Sequence, residues 1–302
     1  MSRFLPITAI LFAFAAPALA DLRVDINDRS SDTEPQTQPS FTGVTQDGLT
    51  GIVTDIGTID ISMTGVPGTS NLDDRNRGTT SVDTTLPLSR LLRDLVFNAQ
   101  NLPDRGTIDV TIANLNAGDY LFTVYSHDPS VDHVSQDLQL STDAGATFPI
   151  EVQNALVSTG SAPVPFGHTS IPFTASGADV VLRLVGDEGT PGFSNELAIL
   201  NGFVIEPFTE YGDFNRAGGV TVDDFFILSA NLGTHLDGNF AGHAGGDIDL
   251  DGDVDLDDFG TFKDMYPAIV AAATGVPEPS SVVLVATAAV GVLALRRRVR
   301  QP

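Results

Sequence analysis

Two aspartate-rich segments of twelve residues, set 34 positions apart, constrain this chain more than any other feature. The first reads Asp213-Phe214-Asn215-Arg216-Ala217-Gly218-Gly219-Val220-Thr221-Val222-Asp223-Asp224. The second reads Asp247-Ile248-Asp249-Leu250-Asp251-Gly252-Asp253-Val254-Asp255-Leu256-Asp257-Asp258. Overlaid at that offset, Gly218 falls on Gly252, Val220 on Val254 and Asp224 on Asp258. The register persists beyond the loops, where Phe225, Leu228 and Leu232 fall on Phe259, Phe262 and Tyr266. Spacings of i, i+3 and i+7 predict a helix with one apolar stripe after each loop. Gly233 stands where the first helix should stop.

The donor spacing has a chemical reading. Calcium takes roughly six to eight hard oxygen ligands in a flexible shell. Oxygens at loop positions one, three and five wrap such an ion, glycine at six permits the sharp bend, a backbone carbonyl serves at seven and a carboxylate closes the shell at twelve. The second loop meets each requirement with Asp247, Asp249, Asp251, Gly252, the Asp253 carbonyl and Asp258. The first supplies Asp213, Asn215, the Gly219 carbonyl and Asp224, but Ala217 stands at position five, where a water must serve. Two Ca2+ sites are expected, the second tighter. A single acidic run would be explained as well by solvation. Two runs in register, with matched glycines and helix stripes, are not, and without a cation such crowding leaves the loops locally loose.

This arrangement over residues 209–267 resembles the type I dockerin module, two calcium loops each followed by a helix. Aspartate at position twelve is usual in dockerins. Positions ten and eleven are Val222-Asp223 and Leu256-Asp257, where cellulosomal dockerins often carry a Ser-Thr type pair for cohesin contact. The resemblance implies calcium binding, and it leaves open a cohesin-like protein or another surface protein as the docking partner.

Both ends read as targeting segments. Residues 1–20 have the form of a signal peptide: Arg3, an apolar stretch from Leu5 to Ala16, and Ala18-Leu19-Ala20 before an expected mature start at Asp21. At the other end, Val276-Pro277-Glu278-Pro279-Ser280 precedes an apolar run from Val282 to Leu295 and then Arg296-Arg297-Arg298-Val299-Arg300. As a helix that run would span roughly 21 Å at about 1.5 Å per residue, short of the ~30 Å hydrocarbon core, with snorkelling arginines making up the difference. Residues 276–302 resemble the PEP-CTERM sorting signal. The resemblance implies an exosortase-type sorting enzyme as partner, a membrane tether through the C-terminal helix until processing, and delivery to the cell surface, outer membrane or extracellular matrix.

Charge and cysteine content narrow the function classes. The formal net charge is -24, Lys263 is the sole lysine, and four of the arginines lie in the tail. Nucleic-acid binding, which needs cations to neutralise phosphates, is excluded. With no cysteine there are no disulfides, thiolate metal sites or cysteine nucleophiles. A hydrophobic fraction of 42% is nonetheless enough for a buried core.

Residues 21–208 show short strand-like runs between Gly, Asn, Asp and Pro clusters: Gly57–Thr64, Gly106–Ile112, Tyr120–Ser126, Val134–Leu140, Asp179–Val185 and Ile199–Ile205. Thr107 to Ile112 alternates as a half-buried strand should, Asn116-Ala117-Gly118-Asp119 predicts a turn, and Leu88–Val96 is the one stretch with a helical pattern. The fold expected is mainly β, a β-sandwich of jelly-roll type, then a small α-helical calcium module, a linker over 268–275 and the tail helix. Motif order along the domain, from Asp74-Arg75-Asn76-Arg77-Gly78 through Thr123-Val124-Tyr125-Ser126-His127-Asp128 to Leu200-Asn201-Gly202-Phe203-Val204-Ile205, is similar to galactose-binding-like and malectin-like sandwiches. That resemblance implies carbohydrate binding. A planar sugar site from Asp74, Arg75, Arg77 and Asp128 is one use of those residues, and an Arg–Asp network bracing a loop is the other. The chain has no Trp, and Tyr120 and Tyr125 read as core.

Glu151, Glu188 and Glu196 are not paired by anything in the sequence, and His127 and His133 beside Asp128 and Asp132 read as a solvated turn. No Gly-x-Ser-x-Gly elbow, phosphate loop or His-Glu-x-x-His motif occurs. The sequence therefore favours a non-catalytic surface or matrix protein that binds calcium and, through the sandwich, an extracellular polysaccharide. The alternatives are a secreted glycoside hydrolase carried by its dockerin and a structural spacer.

Overall fold

Alternation is the rule that builds the first half of the chain. In the strand Gly57–Val66, Ile59, Ile61 and Met63 are buried while Thr58, Ser62 and Thr64 are exposed, the two-residue period of a sheet with one face on a core. The computed structural model describes residues 21–29, 37–66, 72–77, 88–101, 105–128, 135–157, 167–186, 195–234, 242–249 and 253–274. The signal peptide, Asp251, Gly252, His133 and the sorting tail lie outside the described residues. Among the described residues no helix is long and apolar enough to cross a membrane.

The strands in chain order are β1 (Leu22–Ile26), β2 (Thr42–Val44), β3 (Leu49–Thr54), β4 (Gly57–Val66), β5 (Leu72–Asn76), β6 (Asp94–Asn101), β7 (Thr107–Leu115), β8 (Gly118–Ser126), β9 (Ser135–Ser141), β10 (Ile150–Val157), β11 (Gly167–Ala175), β12 (Val180–Gly186), β13 (Asn195–Leu200) and β14 (Gly202–Pro207). They form a five-stranded sheet ordered β11-β8-β14-β1-β2, a six-stranded sheet ordered β10-β9-β12-β7-β4-β3, and a three-stranded sheet ordered β13-β6-β5. Neighbours are antiparallel except β1 with β2. The described residues divide into two compact units that meet in sequence at Thr209 and Glu210.

One core joins the three sheets of the first unit. Leu22, Val24, Phe122 and Phe203 from the five-stranded sheet pack with Ile61, Val110, Leu138 and Leu182 from the six-stranded sheet and with Val96 and Leu200 from the smallest. This is a sandwich-like architecture, as the alternation predicts. β8 is buried on both faces from Tyr120 to Ser126, because its outer face is covered in part by a second apolar cluster of Leu88, Leu91, Leu92, Tyr125 and Val204. The helix expected around Leu88–Val96 is absent. Leu88 has a positive φ of 55°, residues 88–93 form turns, and the chain enters β6 at Asp94. Leucines at helical spacing are here a plug over a sheet face, buried by tertiary contact rather than by a helix stripe.

The run expected over Ile199–Ile205 is broken in the middle. Asn201 stands between β13 in one sheet and β14 in another, and all its polar groups are engaged. Its N–H donates to Tyr125 O at 3.0 Å and its carbonyl accepts from Ile26 N at 2.8 Å. Its side chain donates to Asp94 O at 2.8 Å and accepts from His127 N at 2.5 Å. Gly202 follows because a Cβ there would lie 2.3 Å from Val24 O. Buried Gln136 of β9 plays a similar part, donating to Ser126 Oγ at 2.5 Å and accepting from Ile199 N at 2.6 Å. Asn98 of β6 donates to Val66 O at 3.1 Å and Thr107 O at 2.7 Å.

The second unit holds α1 (Val222–Asn231), α2 (Leu256–Met265) and α3 (Pro267–Ala273), with a 3-10 turn at His243–Gly245. Phe214, Phe225, Leu228, Ile248, Val254 and Phe262 make its core. Two expectations need correction. Residues 268–275, expected as linker, include most of α3, which packs Val270 into that core and has proline at its first turn, where no N–H is required. Leu232, expected on the apolar stripe, is 42% exposed because α1 ends at Asn231 and Leu232 is already its extended C-cap. Gly233 follows with φ of 81°.

Two predictions come from the buried polar groups of the sandwich. Asn201→Ala leaves Asp94 O and His127 N without their partner and should cost about 2–4 kcal/mol, read from the denaturant midpoint of the sandwich transition. Asp25 is fully buried, its Oδ2 accepts from Gln38 N at 2.5 Å, and its Oδ1 has no hydrogen-bond partner among the described residues. Burial, reinforced by Asp94 and opposed by the Gln38 N–H and by Arg93 and Arg90, lifts its pKa from 3.8 to about 8. The folded state therefore holds this proton more tightly than the unfolded chain, and the Asp25 contribution to stability is lost as pH rises from 3.8 through about 8. Asp25→Asn should flatten that slope in urea melts at pH 5 and pH 8.

Candidate metal centre

Each acidic loop is closed by its last aspartate, through chemistry available without a metal. Asp224 accepts from Asn215 N at 3.0 Å on one oxygen and from Thr221 N at 2.8 Å and Thr221 Oγ1 at 2.9 Å on the other. Asp258 repeats this, accepting from Ile248 N at 2.7 Å and Asp249 N at 3.3 Å on Oδ1 and from Asp255 N at 2.7 Å on Oδ2. Thr221 and Asp255 are the N-caps of α1 and α2, so each pair forms a capping box. A single carboxylate thus ties the start of its loop to the start of its helix. Both Asp224 and Asp258 are wholly buried.

The first loop wraps its own first residue. Asp213 accepts from Ala217 N at 3.1 Å, Gly218 N at 3.0 Å and Gly219 N at 3.1 Å. That winding needs the left-handed region at Arg216 and Gly218, with φ of 56° and 92°. Asn215 Oδ1 accepts from Ala217 N at 2.8 Å. Glu210 lies ahead of the loop and accepts from Val220 N at 3.1 Å.

In the second loop the carboxylates converge. One oxygen each from Asp247, Asp249 and Asp258 lie within 4.8 Å of one another, and so do oxygens from Asp253, Asp255 and Asp258. Asp247 and Asp258 are buried and Asp249 is exposed. Burial lifts Asp258 to about pKa 6 against the lowering effect of the Asp255 and Ile248 N–H groups, and Asp249 adds to the lift. A hard-oxygen donor set of this density suits a divalent cation of the calcium type. Asp255 was missed in the sequence, where it reads only as position nine. The repeat could have shown it, since Thr221 falls at the same place with another side-chain oxygen.

Val254, at position eight, bridges to Thr234: Gly233 N donates to Val254 O at 2.6 Å and Val254 N to Thr234 O at 3.3 Å. Buried His243 braces the first loop, its Nε2 accepting from Gly212 N at 3.1 Å and its ring 5.2 Å from Phe214. Burial first, and then Arg216, hold it down to about pKa 4, so it stays neutral and able to accept.

The sandwich residues singled out in the sequence are brought near other partners. Arg77 grips Asp128 in a two-pronged pair at 2.9 and 2.5 Å. Asp74 accepts from Arg29 Nε at 2.8 Å. Arg75 lies over the Phe97 ring, 4.5 Å from its centroid. Tyr120 and Tyr125 are buried.

Residues 275–298 match the PEP-CTERM protein-sorting motif, which implies an exported, surface-targeted protein processed by an exosortase. No curated protein matches the chain. Among solved structures, it is similar to TmCBM61 in complex with β-1,4-galactotriose, at 13% identity and a TM-score of 0.30 over 49% of this chain and 88% of that one. It is similar to a family 35 carbohydrate-binding module from an environmental isolate, at 11% identity and a TM-score of 0.28 over 48% and 96%. An exo-β-1,3-galactanase from Phanerochaete chrysosporium gives 12% identity and a TM-score of 0.28 over 51% and 30%. Scores this low assign no ligand to this chain.

Three carboxylates packed so closely repel one another when no cation is present. Asp249→Asn should therefore stabilise the second unit by about 0.5–1 kcal/mol in chelator and destabilise it in calcium, a sign reversal readable by thermal melts under the two conditions.

Proposed function

We propose that this chain is a non-catalytic protein of the cell surface or extracellular matrix, in which the paired-loop module takes two calcium ions and the sandwich binds carbohydrate. Its location follows from the sorting motif over residues 275–298. The calcium part rests on one observation: oxygens of Asp247, Asp249 and Asp258 lie within 4.8 Å of one another around a carboxylate that is wholly buried. In sequence, Asp251 and the Asp253 carbonyl complete the donors of the second loop, and Asp213, Asn215, the Gly219 carbonyl and Asp224 are the donors of the first. The first site is the weaker, because Ala217 offers no side-chain oxygen where the second loop carries Asp251.

The carbohydrate part is supported by the similarity of motif order to galactose-binding-like and malectin-like sandwiches. A cohesin-like or other surface protein is the partner proposed for the module, whose Phe226 and Leu256 are 53% and 71% exposed. Two experiments test the whole. Calcium calorimetry on the intact chain should show two unequal binding steps, with Asp258→Ala abolishing the tighter one and Asp213→Ala only the weaker. Equal losses would reverse the ordering, and no heat in either step would remove calcium from the function. A glycan array with calcium and with chelator should give a sugar signal without turnover. Polysaccharide cleavage abolished by a single carboxylate change would replace this function with the hydrolase alternative, and silence on the array would favour the spacer.

A further inference from the structure

The outer face of the five-stranded sheet carries a groove at the end remote in register from the leucine plug. It has a volume of about 310 Å³ and is lined by Asp119, Tyr120, Pro172, Phe173, Thr174 and Phe208 with Thr209 at the rim. Register explains the lining. Thr174 stands opposite Asp119, and Pro172 opposite Leu121 on β8. Glu206 also stands opposite Leu121, and Phe208 N donates to Asp119 O at 3.0 Å, continuing that ladder by one residue. Since side chains alternate along a strand, Asp119, Pro172, Thr174 and Phe208 share one face. Tyr120 and Phe173 take the other and belong to the core, their rings 5.7 Å apart.

Three properties of the groove narrow its ligand. Its apolar surface is half-buried Phe208, a flat aromatic ring of the kind that covers the C–H face of a pyranose, beside the aliphatic ring of exposed Pro172. Its polar surface is a carboxylate and a hydroxyl already aligned, Thr174 Oγ1 donating to Asp119 Oδ1 at 2.6 Å. Asp119 Oδ2 accepts nothing among the described residues, and an unoccupied carboxylate oxygen beside a hydroxyl suits a pair of vicinal ligand O–H groups. Among the described residues no cation lines the groove, so an anionic ligand would meet Asp119 uncompensated. The volume lies at the low end of the roughly 300–1,000 Å³ found for small-molecule sites, enough for one ring and not for a chain laid lengthwise.

We infer that this groove is a subsite for a single neutral hexopyranose residue, stacked on Phe208 and Pro172 and held through its hydroxyls by Asp119 and Thr174. The inference deepens the carbohydrate part of the proposed function and rests on it. None of its residues was picked out in the sequence, because Asp119, Thr174 and Phe208 become neighbours only through strand pairing.

Saturation-transfer NMR of the full chain in calcium, with free D-glucose, D-galactose and D-mannose as probes, tests it together with binding to a neutral β-glucan, a galactan and polygalacturonate. At least one neutral sugar should bind, and polygalacturonate should not. Phe208→Ala and, separately, Asp119→Asn should each weaken the neutral sugar roughly tenfold or more. Should Phe208→Ala lower the melting temperature, the exposed Asp119→Asn and Thr174→Val variants decide. Neutral-sugar binding retained in all variants overturns the groove while leaving carbohydrate binding in place. Preference for polygalacturonate overturns the charge-based choice of ligand and with it the groove. A wild-type chain that binds none of these probes overturns the groove and the carbohydrate function together.

Discussion

The four hydrogen bonds of Asn201 hold the sandwich in its particular form. A chain that passes from one sheet to another must leave a ladder, and every buried backbone group so released needs another partner. Asn201 supplies that partner in both directions, to β1 and β8 through its main chain and to Asp94 and His127 through its side chain. The three sheets share one apolar core, but apolar packing alone is non-directional and fixes neither where a strand breaks nor which sheet it joins. The buried amides of Gln136 and Asn98 do the same work at the other seams.

The paired-loop module uses carboxylates where the sandwich uses amides. Asp224 and Asp258 each close a loop and start a helix, so the N-terminal ends of α1 and α2 are satisfied by the chain's own carboxylates. In the first loop Asp213 accepts from its own backbone, and in the second, oxygens of Asp247, Asp249 and Asp258 converge. The missing side-chain oxygen at Ala217, where the second loop carries Asp251, makes the two halves of the repeat chemically unequal.

The sequence was legible where a period or a repeat imposes a local rule. Strands such as Gly57–Val66 and Thr107–Leu115 were readable because their alternation is the consequence of one buried face. The helices after the loops were readable because Phe225, Leu228 and Phe262 repeat at helical spacing. Leucine spacing misled at Leu88–Val96, since the same residues can cap a sheet face from irregular turns. It misled again at Leu232, where a turn ended the helix one residue early, and α3 was missed because small alanines over 268–275 carry a weak apolar signal. Of the candidate sites, the carboxylates that converge in the second loop were legible but for Asp255, while Asp74, Arg75, Arg77 and Asp128 proved to be bound to Arg29, Phe97 and each other.

The sequence by itself determined the class of the protein: an acidic chain with no cysteine, a mainly β body, a duplicated oxygen-donor loop and a sorting tail. Each of these is a property of residues within one segment, or of two segments at a fixed offset, and needs no knowledge of distant contacts. Only the tertiary structure decided which sheet each strand entered, why Asp25 keeps its proton near neutral pH, and that Asp119, Thr174 and Phe208 line one groove. Those outcomes depend on strand register and on burial by residues far away in the chain, and neither is encoded in the local pattern of polar and apolar residues.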